Sequence, residues 1–151
     1  MTTSPKPPAS AERQLCGLVN GLAQKIADHL RERAATLGLT AAQATALREM
    51  TGPMTMRELA ERMSCEPSNA TFVVDRLEKQ GLIERRAHPT DRRARHLVLT
   101  PEGTALRERL LALLTQDSPL GGLTPQQQRL LHELLEQAIA PADRGGADAG
   151  R

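Results

Sequence analysis

Two clusters of side chains in this sequence are of the right types and spacing to do chemistry, and neither cluster is catalytic. The first is Ser68, Asn69, Thr71, Phe72, Arg76 and Lys79, a set of hydrogen-bonding, apolar and cationic groups within twelve residues. The second is a run of arginines, Arg85, Arg86, Arg92, Arg93 and Arg95, with Asp91 the one acid between Arg85 and His96. The arginine run leaves a local charge of about +4 on a chain whose net charge is only +2, which points to a polyanion at one place. Enzyme signatures are missing: there is no G-x-S-x-G, no glycine-rich phosphate loop and no paired-histidine zinc helix. His132-Glu133 opens like a zinc-protease helix, but position 136 is Glu rather than His. His29 and Cys16 lie thirteen residues apart, too far for one metal site within a chain. The reading is therefore a non-enzyme with no metal and no cofactor.

The elements that position these clusters follow from hydrophobic periodicity and capping residues. Thr40 caps a helix carrying Ala44, Leu47 and Met50, and Thr55 with Glu58 forms a capping box for a second, short helix. The break Ser64–Cys65–Glu66 leads to a third helix with Pro67 at its first position and Gly81 at its end. At 100° per residue, Ala70, Val73, Val74 and Leu77 form its buried stripe. Ser68, Asn69, Phe72, Asp75, Arg76 and Lys79 fall on the opposite side. Two strand-like runs, LIERR and RHLVLT, flank the loop AHPTDRRA. Helix, tight turn, helix and hairpin make a winged helix-turn-helix, a mainly α (α+β) fold with a two-stranded β-wing over about 40–100.

On that frame Phe72, the only aromatic residue, either fills a gap under the wing or meets a thymine methyl in a DNA major groove. Arginines at the tip of a two-strand ribbon cannot pack inward, and such a tip fits a narrow minor groove. Asp91 is out of place beside a polyanion unless it holds a neighbouring arginine in a fixed pose. Glu66, a weak capper at the helix start, carries the same conflict of charge.

Long leucine-rich helices flank this unit. One runs from Ala11 to about Leu37 and is stopped by Gly38. Another is capped by Thr100, and a last one by Thr124 with Pro125. Their stripes are either core packing or, since they bracket a complete unit, dimerisation faces. The reading is one domain over 11–140, with 11–37 and 101–140 as dimerisation helices and disordered tails at 1–10 and 141–151. No run of eighteen apolar residues is present, and MTTSPKPPAS does not read as a secretory signal, so the expectation is a cytoplasmic protein with reduced thiols and no membrane partner.

The stretch ELAERMSCEPSNATFVVDRLEKQGLIERRAHPTDRRARHLVLTPEG resembles the core of the MarR (multiple antibiotic resistance regulator) family of bacterial transcription factors, over about residues 40–103. The pieces that carry it are VDRLEKQGLIERR, the PTDRRA wing with its Asp-x-Arg, and the LTPEG exit into a helix. The resemblance implies a homodimeric DNA-binding repressor, with recognition helices in successive major grooves of a pseudo-palindromic operator on double-stranded DNA. It places base and backbone contacts at Ser68, Asn69, Thr71, Phe72 and Arg76, and minor-groove insertion at Arg93 oriented by Asp91. Release by a small-molecule effector is also implied, with its identity open. Arg13-Gln14-Leu15-Cys16 is similar to the reactive-cysteine region of the family's peroxide-sensing branch, but the tyrosines that activate that thiolate are absent here. Cys65, in a turn, is expected to be the more exposed thiol. Redox sensing through Cys16, and a winged-helix protein-interaction module without DNA binding, stay as alternatives.

Overall fold

The computed structural model describes residues 5, 8–91, 93 and 95–141. The elements are α1 (Ala9–Thr36), α2 (Ala41–Glu49), α3 (Met56–Arg62), α4 (Pro67–Lys79), β1 (Ile83–Ala87), β2 (Arg95–Leu99), α5 (Pro101–Thr115) and α6 (Pro125–Ile139). The chain divides after Pro119 into two units, the first holding α1 to α5 with the hairpin and the second holding α6. Helix α1 opens at Ala9, so the last two residues of the stretch read as tail are helical. Apart from Pro5, Pro8 and Pro141, the remaining tail residues lie outside the described residues.

Local chemistry accounts for the helix boundaries. Thr40, Thr55, Thr100 and Thr124 each accept a hydrogen bond from the backbone N–H three residues on. Gln43, Glu58 and Gln127 return the bond to the cap residue's own N–H, completing three capping boxes. Glu66 supplies no side-chain cap to α4. At the other end of α4, Gly81 takes φ +73°, a left-handed turn that lets Leu82 N–H reach Leu77 O at 2.9 Å.

The core of the first unit is aliphatic throughout. Leu30 and Ala34 of α1 meet Leu47 of α2, Leu59 of α3, Val74 and Leu77 of α4, Ile83 and Leu97 of the hairpin and Leu110 of α5. β1 and β2 pair antiparallel from Ile83↔Leu99 to Ala87↔Arg95. One feature is invisible in the sequence pattern: Met54, just past Pro53, forms an antiparallel bridge with Leu97, with N–H to O distances of 2.7 and 3.2 Å. It ties the loop before α3 to the wing's second strand.

Side chains on longer reach join the helices. Arg107 of α5 donates to the carbonyls of Leu47 and Arg48, and Arg62 of α3 donates to Glu49 O and Thr51 Oγ1. Both guanidinium groups thus serve the carbonyl-rich end of α2. The buried Thr100 is the tightest junction. Its Oγ1 donates to Gly81 O at 2.6 Å and accepts from Gly103 N–H at 3.0 Å, while its N–H donates to Leu82 O at 3.1 Å.

The outer helices do not spend all their leucines on the core of one chain. Leu15, Leu18 and Val19 of α1 and Leu130, Leu134 and Ile139 of α6 are all exposed, and α6 has no buried residue. The stripes divide between the two readings: Leu30 of α1 and Leu110 of α5 pack in the core, while the first half of α1 and the face of α6 stay bare.

Candidate nucleic-acid interface

Helix α4 buries Ala70, Val73, Val74 and Leu77, the stripe expected from the wheel. Rotating it to bring Phe72 inward would expose Val74 and Leu77, at about 1.5–3 kcal/mol each. Phe72 therefore stands outward, 60% exposed, with the Arg76 guanidinium carbon 4.8 Å from its ring centroid. That is a cation–π pair, so the two residues present one composite surface. Ser68, Asn69 and Lys79 are exposed beside them. Thr71 is half-buried and its hydroxyl donates to Pro67 O at 2.9 Å, which leaves it an acceptor toward any ligand.

The hairpin corrects the simple charge reading. Arg85 donates to Asp75 of α4 through Nη2, and its Nε lies 3.6 Å from Glu78 Oε2. Arg86 pairs with Glu84 at 3.0 Å. Two of the five arginines are thus matched to carboxylates, and the run is less cationic than its composition. The same ion pair explains Asp75: it fastens α4 to β1 and does not repel a polyanion as a free acid would. Arg93 and Arg95 are exposed and have no carboxylate partner among the described residues. Arg92 lies outside the described residues.

At the wing tip Asp91 Oδ1 accepts the main-chain N–H of Arg93 at 3.0 Å. The contact that joins these two residues runs to the backbone, so Asp91 sets the path of the chain at Arg93. Sequence reasoning passed over His88, whose Nδ1 accepts the N–H groups of Thr90 and Asp91, both at 3.1 Å. Nothing in composition flags an imidazole as a turn cap, although its place one residue before Pro89 puts it where Asn or Asp commonly closes a turn.

Among the described residues there is no group of three or more His, Cys, Asp or Glu able to hold a metal, and no helix long and apolar enough to cross a membrane. Cys16 is exposed and Cys65 half-buried, the reverse of expectation. The reason is that the Cys65 turn folds back on α3, its N–H bonded to Ala60 O at 3.1 Å, while the face of α1 around Cys16 is bare.

Comparison with known proteins meets this geometry at the same residues. A sequence model of the MarR family matches residues 39–94. The HTH-type transcriptional repressor MdtR of Bacillus subtilis is 38% identical over 96 residues, which is 62% of this chain and 62% of MdtR. The matched segment therefore spans a little under two thirds of that relative. A probable transcriptional regulator from Pseudomonas aeruginosa is 31% identical with a TM-score of 0.66, over 85% of this chain and 99% of that one. A mutant MarR from Escherichia coli, solved in complex with operator DNA, is 28% identical with a TM-score of 0.68, over 89% of this chain and 99% of that one. The sequence match runs from the residue before the α2 cap to the wing turn, and the likeness of fold extends over the helices around it: the chain belongs to the MarR family.

Proposed function

We propose that this protein is a sequence-specific, double-stranded-DNA-binding transcriptional regulator, a cytoplasmic homodimeric repressor acting on a pseudo-palindromic operator. The observation that carries the reading is the outward Phe72–Arg76 pair on a helix whose other face is fully buried. In this reading Ser68, Asn69, Thr71, Phe72, Arg76 and Lys79 face the major groove. Asp91, Arg92, Arg93 and Arg95 form the wing's contact with a flanking minor groove. The operator DNA bound to the E. coli relative supports it. Within 11–37 and 101–140, the proposed dimerisation helices, the bare faces of Leu15, Leu18 and Val19 in α1 and of Leu130, Leu134 and Ile139 in α6 support this part of the reading. An effector of unidentified chemistry completes the proposal. A cleft of about 340 Å³ between the base of β2, the loop after α2 and α5, lined by Met50, Pro53, Val98 and Leu99, supports this part of the reading.

Footprinting on the DNA upstream of the chain's own gene tests the reading. Protection of two half-sites about 10 bp apart is expected, by a species sedimenting at twice the chain mass. A monomer in sedimentation, or protection indifferent to sequence, would refute it. The wing carries a separate expectation. If Asp91 acted only through its charge, Asp91→Ala would strengthen binding. Because it holds the Arg93 backbone, the variant should instead bind more weakly, by about 1 kcal/mol for each wing. Titrations across a salt series decide the sign, and tighter binding by the variant would make Asp91 a bystander.

A further inference from the structure

The wing turn is built from two side-chain caps in series, and the first of them is a titratable ring. His88 Nδ1 accepts the N–H groups of Thr90 and Asp91, with Thr90 Oγ1 also at 3.1 Å. Pro89, between them, has no N–H to offer. Asp91, held by its amide, then accepts Arg93 N–H through Oδ1. From this geometry we propose that His88 is a positioning residue for the wing, fixing through an unprotonated Nδ1 the turn that presents Arg93 and making the wing's grip on DNA pH-dependent. The inference rests on the DNA-binding reading above and deepens it.

A ring nitrogen accepts two N–H groups only while it carries no proton, so the neutral ring must hold its proton on Nε2. Protonation converts Nδ1 from acceptor to donor, and two amides then face a cation. The surroundings offer that cation little. On β2 stand Arg95 and His96, the latter edge-on to His88 with ring centroids 4.2 Å apart. On β1 stands Arg86, already paired with Glu84. In the turn are Arg93, and Asp91 whose Oδ1 is engaged. The closed turn therefore holds the neutral ring, and a proton on Nδ1 opens it. A plain charge effect has the opposite sign, because a new cation beside DNA strengthens binding. The sign alone separates the two.

The test uses the full chain and the footprinted duplex, with anisotropy titrations at fixed ionic strength from about pH 8 to about pH 5.5. The wild type is expected to lose affinity roughly tenfold on acidification, and His88→Ala to be roughly tenfold weaker already at the alkaline end. In His88→Asn the side-chain carbonyl accepts the same turn amides without titrating, so binding should be restored and the acid-dependent loss abolished. His96→Gln should keep that loss. Acidification that tightens wild-type binding, or a His88→Asn variant that titrates like the wild type, overturns the proposal. A readout without DNA stands beside these: in the free protein the Thr90 and Asp91 amide resonances should move with His88 protonation. Amides that ignore it also overturn the proposal. A wild type that binds no DNA while those amides titrate overturns the DNA-binding reading and leaves the turn intact.

Discussion

Gly103→Ala is expected to destabilise the fold by about 3 kcal/mol or more, despite placing a better helix former in α5. A Cβ at this position would collide with Leu82 O and lie 2.9 Å from Leu82 C. Both partners are main chain, and both are tethered. Leu82 O accepts from Thr100 N–H, and Gly103 N–H donates to Thr100 Oγ1, so neither side can yield without breaking the Thr100 junction. The helix-propensity gain of alanine over glycine, about 1 kcal/mol, is outweighed. Thermal melts followed by circular dichroism should show a drop on the order of ten degrees. An unchanged melting temperature would mean that Gly103 and Leu82 are not in contact.

Phe72→Ala should have its large effect on recognition instead. An exposed ring contributes little to folding, and stability should stay within about 0.5 kcal/mol of wild type. Removing it deletes the apolar contact with a base that the proposed function gives it, and also the surface on which Arg76 rests, 4.8 Å away. The loss should be about 1–3 kcal/mol in each half-site, counted twice in a two-fold complex, and preference at the contacted base pair should flatten. Arg76→Ala should overlap with it, because residues in contact do not act additively. Binding measured on the operator and on single-base variants gives the answer. Equal weakening on every sequence would make this face a phosphate contact, and a large fall in stability would make Phe72 a packing residue.

Which parts of the molecule were legible in the sequence depends on how far apart the cooperating residues are. Caps such as Thr55 with Glu58, and the stripe Ala70–Val73–Val74–Leu77, involve neighbours within one turn, and periodicity finds them. The outward aim of Phe72 follows from the same wheel. Arg85 and Asp75 are ten residues apart on different elements, so counting charges along the chain missed that they neutralise each other. The Met54–Leu97 bridge was hidden because a residue directly after Pro53 reads as loop. The glycine of LTPEG stood out as part of a motif, but its reason, the approach of Leu82 O, belongs to the packing of α5 on the residue that precedes β1. His88 was overlooked because its role is that of a lone-pair donor in a turn, a job sequence reading assigns to Asn and Asp.

The Thr100 junction has a mechanical consequence. Because Thr100 bonds to both Gly81 and Leu82, the two strands of the hairpin are clamped at their root, and the wing is a lever with its fulcrum there. Five residues of strand at about 3.3 Å each give an arm of about 17 Å. A tilt of about 10° at the root would carry the tip through about 3 Å, one hydrogen-bond length. Displacements too small to disturb the core are therefore amplified by this arm into a shift of the wing tip that a contact made there would register.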